Sequence, residues 1–225
     1  LLPSISKNKT EARSFLACIF DGHGILGHEV AQEVVEKFPL LLGQKLTLSL
    51  GDRKINHKTR SRNSDGPLVV ALKDNDSTDI AIRKALNETF LEINEKGNPS
   101  NFLHAGCTAS VTLRWGSKLY IANTGDSETV VISSLSSFKN QTSNMQQQQQ
   151  QDFPNAKVEY ATRRDKGNQP AERARIEGLG GKIHINAKGF DPRVIHYSET
   201  LKENVGLAMS RSIGDWEFEA VGVIA

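Results

Sequence analysis

The chain has 225 residues, enough to bury a real core in one large domain or two small ones. Apolar residues make up 37% and charged ones 24%, close to the globular average, which excludes wholesale disorder and a fibrous repeat. With 28 basic against 26 acidic residues the formal charge is +2, too balanced for a protein steered by nucleic acid or an anionic membrane, so neither is expected as a partner.

Leu1 to Thr10 lacks a charged flank followed by a long apolar stretch, and no apolar run approaches the roughly 20 residues that cross a bilayer, so neither a signal peptide nor an anchor is expected. Phe15 to Phe20 is an apolar run of strand length, followed at once by the turn-forming Asp21, Gly22, His23 and Gly24. From His28 to Phe38 the residues Val30, Ala31, Val34, Val35 and Phe38 recur at helical spacing, and Pro39 is expected to close that helix. The stretch from about 51 to 76 is rich in charged and small polar residues, with the basic group Arg60, Ser61, Arg62, and reads as a solvated surface insertion.

A second helix is expected over about Asp79 to Asn94, with Ile82, Leu86, Phe90 and Ile93 on one side and Ser77 or Thr78 as cap; Gly97, Asn98 and Pro99 end it. Ala109, Val111, Leu113 and Trp115 then alternate with polar residues, which is the period of a half-buried strand. Gly116 and Ser117 suit a hairpin turn, Lys118 to Ala122 the returning strand, and Thr129 to Ile132 a third, so an antiparallel meander is expected. A second polar excursion runs from about 133 to 156 and contains six consecutive glutamines, Gln146 to Gln151. Pro170 opens a short helix, Ala171 to Glu177, which Gly180 and Gly181 stop. Cys18 and Cys107 each lie in an apolar strand-like stretch and fit reduced core thiols, which points to the cytoplasm or nucleus. The absence of an initiating Met and the apolar end, Val221 to Ala225, suggest a piece of a longer chain.

The chemistry concentrates at Asp21. A carboxylate at the end of a buried strand, followed by glycines around a histidine, offers a hard oxygen ligand and exposed backbone carbonyls of the kind that suit Mg²⁺ or Mn²⁺. The plainer alternative is an Asx turn or a helix cap. Gly22 to Gly27 also matches the glycine spacing of dinucleotide-binding folds, but Asp21 would set a carboxylate beside the pyrophosphate, and the expected meander argues against a parallel sheet. His28, His57, His104, His184 and His196 show no ligand spacing with cysteine or with each other, so no zinc site is expected.

Five blocks then carry a resemblance. Phe20-Asp21-Gly22-His23-Gly24, Gly106-Cys107-Thr108-Ala109, Ala122-Asn123-Thr124-Gly125-Asp126-Ser127, Glu172-Arg173-Ala174-Arg175-Ile176 and Leu207 to Asp215 resemble, in order, the signatures of the PP2C-type metal-dependent serine/threonine protein phosphatases. The resemblance implies an α/β (α+β) fold, a four-layer α-β-β-α sandwich with two central antiparallel sheets, incomplete in this chain. It implies one partial phosphatase domain over residues 1–225 that acts as a monomer on phosphorylated protein substrates. Its activity would be hydrolysis of phosphoserine and phosphothreonine by a metal-activated water, with two Mg²⁺ or Mn²⁺ ions per complete site; a catalytically inactive homologue serving as a regulatory or phosphoprotein-binding module is the alternative. By the same resemblance Asp21 bridges the ions, Gly22 gives a carbonyl oxygen, and His23 protonates the leaving oxygen. Asp126 resembles the aspartate that helps hold a further, weaker metal, although Gly-Asp-Ser is also a plain turn, and His23 by itself is equally a turn histidine.

The chain departs from the family pattern in several places. Nothing in Leu1 to Arg13 resembles the upstream arginine that grips the phosphate or its neighbouring acidic ligand, and the sequence stops before the two downstream metal aspartates. A site with one bridging carboxylate and one carbonyl is expected to bind metal weakly, so this piece alone is expected to be inactive. Ile25 replaces a usual glycine, Glu128 a frequent arginine, and Thr162 to Gly167 lacks the usual Asp-His pair. Asp215 is expected to support the cleft, and Trp115 and Trp216 to be core or cleft-wall residues.

Overall fold

The computed structural model describes residues 14–51, 68–71, 77–134, 156–186 and 191–225. Its first half runs β1 (Phe15–Ile19), β2 (Gly22–His23), α1 (Gly27–Gly51), β3 (Leu68–Ala71), α2 (Ser77–Glu95) and α3 (Pro99–Phe102). Then come β4 (Gly106–Cys107), β5 (Ala109–Trp115), β6 (Lys118–Thr124), β7 (Val130–Ser134) and β8 (Ala156–Ala161). The chain continues through α4 (Pro170–Gly178), β9 (Lys182–His184), β10 (Arg193–Ser198), β11 (Glu203–Leu207), β12 (Ile213–Gly214) and a 3₁₀ turn, Trp216–Val221.

The strands form a four-stranded sheet in the order β1-β5-β6-β3, two three-stranded sheets, β12-β4-β2 and β11-β10-β9, and the β7-β8 pair. Among the described residues every pairing between named strands is antiparallel, so the architecture is a mixed α/β fold with antiparallel sheets, as expected. The dinucleotide reading fails here, because β1 is joined to β5 antiparallel and no parallel crossover follows α1 among the described residues.

Helix α1 does not stop at Pro39 but runs on to Gly51. Val30, Val34, Phe38, Leu42 and Leu46 are all buried, one every fourth residue, so the apolar stripe continues straight past the proline. Pro39 itself is exposed, and the backbone bond it removes lies on the solvent side. A mid-helix proline costs about 3 kcal/mol, while burying two further leucines contributes about 1.5–3 kcal/mol each, so packing wins.

Helix α2 meets α1 through Ile82, Leu86, Phe90 and Ile93, with the Phe38 and Phe90 rings edge to face at 5.2 Å. These side chains share one core with Val111 and Leu113 of β5 and Tyr120 of β6. Asp79, at the start of α2, is buried, yet its carboxylate takes Lys118 Nζ at 2.9 Å and the Tyr120 hydroxyl. That ties the helix to β6 and compensates the charge. A second core gathers Ile176, Val194, Leu207, Met209, Phe218 and Val223 beneath α4, β10 and β11.

Two further expectations change. The third strand of the meander exists as β7 but leaves β6 and pairs instead with β8, beyond the second polar stretch. The first polar stretch is not wholly an insertion, because Leu68–Ala71 forms the edge strand β3 against β6. The remaining parts of that stretch, with Arg60 to Arg62 and His57, lie outside the described residues, as does the glutamine run.

Candidate active site

A small sheet assembles three of the sequence blocks. β4 is the middle strand: on one side Gly22 and His23 of β2 face Cys107 and Gly106, and on the other Ile213 and Gly214 of β12 face the same two residues. The backbones must pass closely. A Cβ on Gly22 would sit 2.2 Å from the Gly27 carbonyl oxygen, and one on Gly106 would sit 2.3 Å from an Asp215 carboxylate oxygen. Glycine at these places is therefore what lets the Asp21 turn fold onto α1 and lets Asp215 reach inward.

Asp21 lies where β1 gives way to β2. Its carbonyl accepts the Thr108 N–H at 2.9 Å, its own N–H donates to Thr108 Oγ1 at 3.3 Å, and Thr108 Oγ1 meets Ser127 Oγ at 2.6 Å. The backbone is thus clamped on both sides while the residue remains exposed. Among the described residues the Asp21 carboxylate has no hydrogen bond or ion pair. A charged oxygen pair held rigidly at a strand end without a protein partner fits a hard cation, and Gly22, next to it, is exposed too. The described residues contain no ready-made group of three or more acidic, histidine or cysteine ligands.

His23 is held by Asp215, whose Oδ2 lies 2.5 Å from Nε2. Asp215 is buried and takes a left-handed backbone conformation, φ 53°, pinned by its N–H to the Ala105 carbonyl at 2.9 Å. Asn94 at the end of α2 steadies the same corner, accepting from Gly214 N–H at 2.8 Å and from the Trp216 indole through its carbonyl at 3.0 Å. Burial alone would lower the His23 pKa, but the hydrogen bond and charge of Asp215, together with the charges of Asp126 and Asp21, outweigh it, and the pKa is raised above the ordinary 6.5. Its Nδ1 is buried and has no partner among the described residues. In the imidazolium that N–H costs about 1–3 kcal/mol until an acceptor arrives.

Asp126 sits in the turn after β6 and has a different partner. Its carboxylate accepts from Lys166 Nζ, which also donates to the Ala208 carbonyl at 3.0 Å, while Arg164 Nε reaches the Asp126 carbonyl at 3.4 Å. The block that lacks the Asp-His pair still supplies Asp165, and Lys166 follows it. Asp165 Oδ2 accepts the Gly125 N–H at 3.2 Å, so this loop shapes the Asp126 turn directly.

Behind it lies a charged cluster that the sequence blocks contained without showing. Glu172 of α4, 1% exposed, is met by Arg163 at 3.0 Å, Arg175 at 2.7 Å, Arg211 at 3.0 Å and Ser210 Oγ at 2.8 Å. Burial pushes its pKa up, but the bonds from Arg175, Arg211 and Ser210 and the charge of Arg211 hold it near 2. No single segment of sequence announces this cluster, because Ser210 and Arg211 lie far along the chain from Arg163, Glu172 and Arg175. Trp216 packs on Phe102 at 5.6 Å as a wall residue. The two thiols are free; burial pushes Cys18 up to about 12 and Cys107 further still, which makes both poor nucleophiles. An apolar groove of about 900 Å³ between Leu16, Leu42, Leu46 and Leu113 holds none of these residues.

The family model for protein phosphatase 2C matches residues 1–225. "Probable protein phosphatase 2C 34" of Arabidopsis thaliana is 29% identical over 214 residues, covering 92% of this chain and 50% of its own length. "Probable protein phosphatase 2C 48" of Oryza sativa subsp. japonica is 29% identical over 222 residues, covering 96% and 55%. The crystal structure of a serine-threonine phosphatase 2C from Toxoplasma gondii superposes with a TM-score of 0.56 at 16% identity, over 94% of this chain and 61% of that one, which speaks for the fold. A C. elegans sex determining protein follows at 0.52 and 18% identity, over 92% and 38%. The chain spans about half the length of the curated relatives it matches. With the whole chain matched by the family model and the five blocks converging on one corner of the fold, this chain belongs to the protein phosphatase 2C family.

Proposed function

We propose that the protein to which this chain belongs hydrolyses phosphoserine and phosphothreonine in other proteins. The observation that carries the reading is Asp21: an exposed carboxylate without a partner among the described residues, clamped through its backbone beside a histidine that a buried aspartate holds. Asp21 and the Gly22 carbonyl would hold Mg²⁺ or Mn²⁺. Two such ions, when bound, acidify an attacking water and offset the negative charge that grows on the phosphoryl oxygens.

The chain's own residues supply the rest. Asp215 fixes the His23 ring through Nε2 and favours the imidazolium, the form that can give up a proton. A proton passed from the imidazolium to the leaving seryl or threonyl oxygen would prevent its departure as an alkoxide. Thr108 and Ser127 keep the Asp21 turn from swinging away. Gly22 and Gly106 keep both carboxylates within reach of the site.

Two free thiols, Cys107 buried and Cys18 half-buried, support placing the protein in the cytoplasm or nucleus. The balanced charge supports a protein that works without nucleic acid or membrane. No described helix is long and apolar enough to cross a membrane. The test is hydrolysis of a phosphothreonine peptide by the full-length gene product with Mn²⁺. Turnover that EDTA and Asp21→Asn both abolish supports the reading, and turnover that survives either one refutes it.

A further inference from the structure

The Asp126 turn carries a cation of its own. By family resemblance this aspartate helps hold a weaker metal, but the donor set around it here does not fit one. Lys166 Nζ bonds one of its carboxylate oxygens, Oδ2, and Arg164 Nε reaches its carbonyl oxygen at 3.4 Å, so two of its three hard oxygens already face a cation. A small divalent ion requires oxygen ligands at about 2.0–2.1 Å in near-octahedral array. An ammonium bonded to the would-be ligand blocks that approach and repels the ion.

Lys166 is not a surface lysine that happens to swing by. Its side chain and that of Asp126 are each only 21% exposed, and Nζ makes a second bond, to the Ala208 carbonyl at 3.0 Å. The loop that bears it is fastened on two sides: Asp165 N–H donates to the Gly125 carbonyl at 2.9 Å, and Ser210 N–H donates to the Asp165 carbonyl at 2.8 Å. Asp165 Oδ2 takes the Gly125 N–H as well, while Arg163 holds Oδ1. The lysine stem therefore starts from a fixed point one residue past this clasp, and its head bridges the Asp126 turn to the Leu207–Asp215 block. A lysine is a compact point charge on a long stem, well suited to act as a tethered ion.

We propose that Lys166 is a resident cation of the site, which neutralises Asp126 and takes the place of the weaker third ion. The inference rests on the two-ion reading above and concerns only what lies beyond those two ions. The protein then carries its third cation covalently and does not wait on free metal to supply it.

The experiment counts Mn²⁺ bound at equilibrium to the full-length protein, by electron paramagnetic resonance of the free ion, with no reliance on turnover. Asp126→Asn is expected to bind as many ions as the wild type. Lys166→Met is expected to gain one weak Mn²⁺ per chain, Lys166→Arg to gain none, and the Lys166→Met/Asp126→Asn double variant to lose the gain. An ion lost in Asp126→Asn, or no ion gained in Lys166→Met, overturns the proposal. Asp126→Asn changes one atom and preserves the turn, so it decides the matter even where the lysine variant folds poorly. Asp21→Asn reports separately on the two-ion reading: tight ions lost there while Lys166→Met stays silent sink the lysine alone, and no loss at Asp21→Asn sinks the reading beneath it.

Discussion

Asp21 and Asp126 follow two strands of one sheet, β1 and β6, and both sit in glycine-bearing turns, yet the fold treats the two carboxylates in opposite ways. At Asp21 the backbone is clamped by Thr108 and the side chain is left open. At Asp126 the side chain is closed by Lys166 and the carbonyl by Arg164. Residue type and turn chemistry are the same, so the difference comes from what the rest of the chain brings alongside. Among the described residues the loop after β8 brings cations to one turn, and the chain beside β4 brings hydroxyl and peptide groups to the other. His23 lies between, with both aspartates adding to the charge that raises its pKa.

The largest effect should come from removing the open carboxylate. Asp21→Asn keeps the shape of the turn but removes the charge that would hold hard cations. Metal assistance contributes several kcal/mol, so kcat for a phosphothreonine peptide is expected to fall on the order of 10³-fold or more. The same substitution at Asp126 would have to be far milder, or the contrast between the turns is broken. Next comes His23→Gln, for which loss of a positioned acid predicts a drop of about 10²–10⁴-fold with the peptide. With p-nitrophenyl phosphate, whose leaving group departs without a proton, the loss should be much smaller. Equal losses on both substrates would show that His23 positions the site and does not donate.

Short-range signals make much of the molecule legible in its sequence. The Asp21 turn, the β5-β6 hairpin with its Gly116 turn (φ 62°), and the Pro-opened α4 each follow from a few neighbouring residues. The features that are not legible depend on partners distant in the chain. Helix α1 crosses Pro39 because Leu42 and Leu46 find a core supplied partly by β5. β3 forms within a polar stretch because β6 offers it an edge. Lys166, read alone, is one more basic residue in a loop, and only the approach of two turns 40 residues apart gives it a role. The hold of Asp215 on the histidine is hidden in the same way, since its partner lies 192 residues earlier.

Glu172, through Arg163 and Asp165, steadies the loop that closes the Asp126 turn. Replacing it with alanine leaves Arg163, Arg175 and Arg211 facing one another around a vacated carboxylate. Breaking a buried ion pair from one side costs about 3–5 kcal/mol, so Glu172→Ala should lower the unfolding free energy of the full-length protein by that order in urea titrations. Glu172→Gln keeps an acceptor for Arg175 and Ser210 and should cost less. Because Arg163 steadies Asp165, and Asp165 sets the Gly125-Asp126 turn, the alanine variant should also loosen the closed turn while leaving Mn²⁺ binding at Asp21 intact.

Acid should probe the same cluster more gently. Glu172 is held near 2 in the folded protein against 4.5 for the free side chain, so its contribution is present above about pH 5 and drains away as the pH falls toward 2. A shift of that size corresponds to about 3 kcal/mol. Asp165 works in the other direction. Burial raises its pKa despite the pull of Arg163, so its neutral form favours the folded state, and acidification returns part of what Glu172 loses. The net loss between about pH 5 and pH 3 should therefore be smaller than Glu172 alone would give, and Asp165→Asn should steepen it. Stability measured against pH for the wild type and this variant tests the balance. A steeper loss in the wild type would mean that Asp165 is ionised and stabilising, and the two carboxylates of the cluster would then act together.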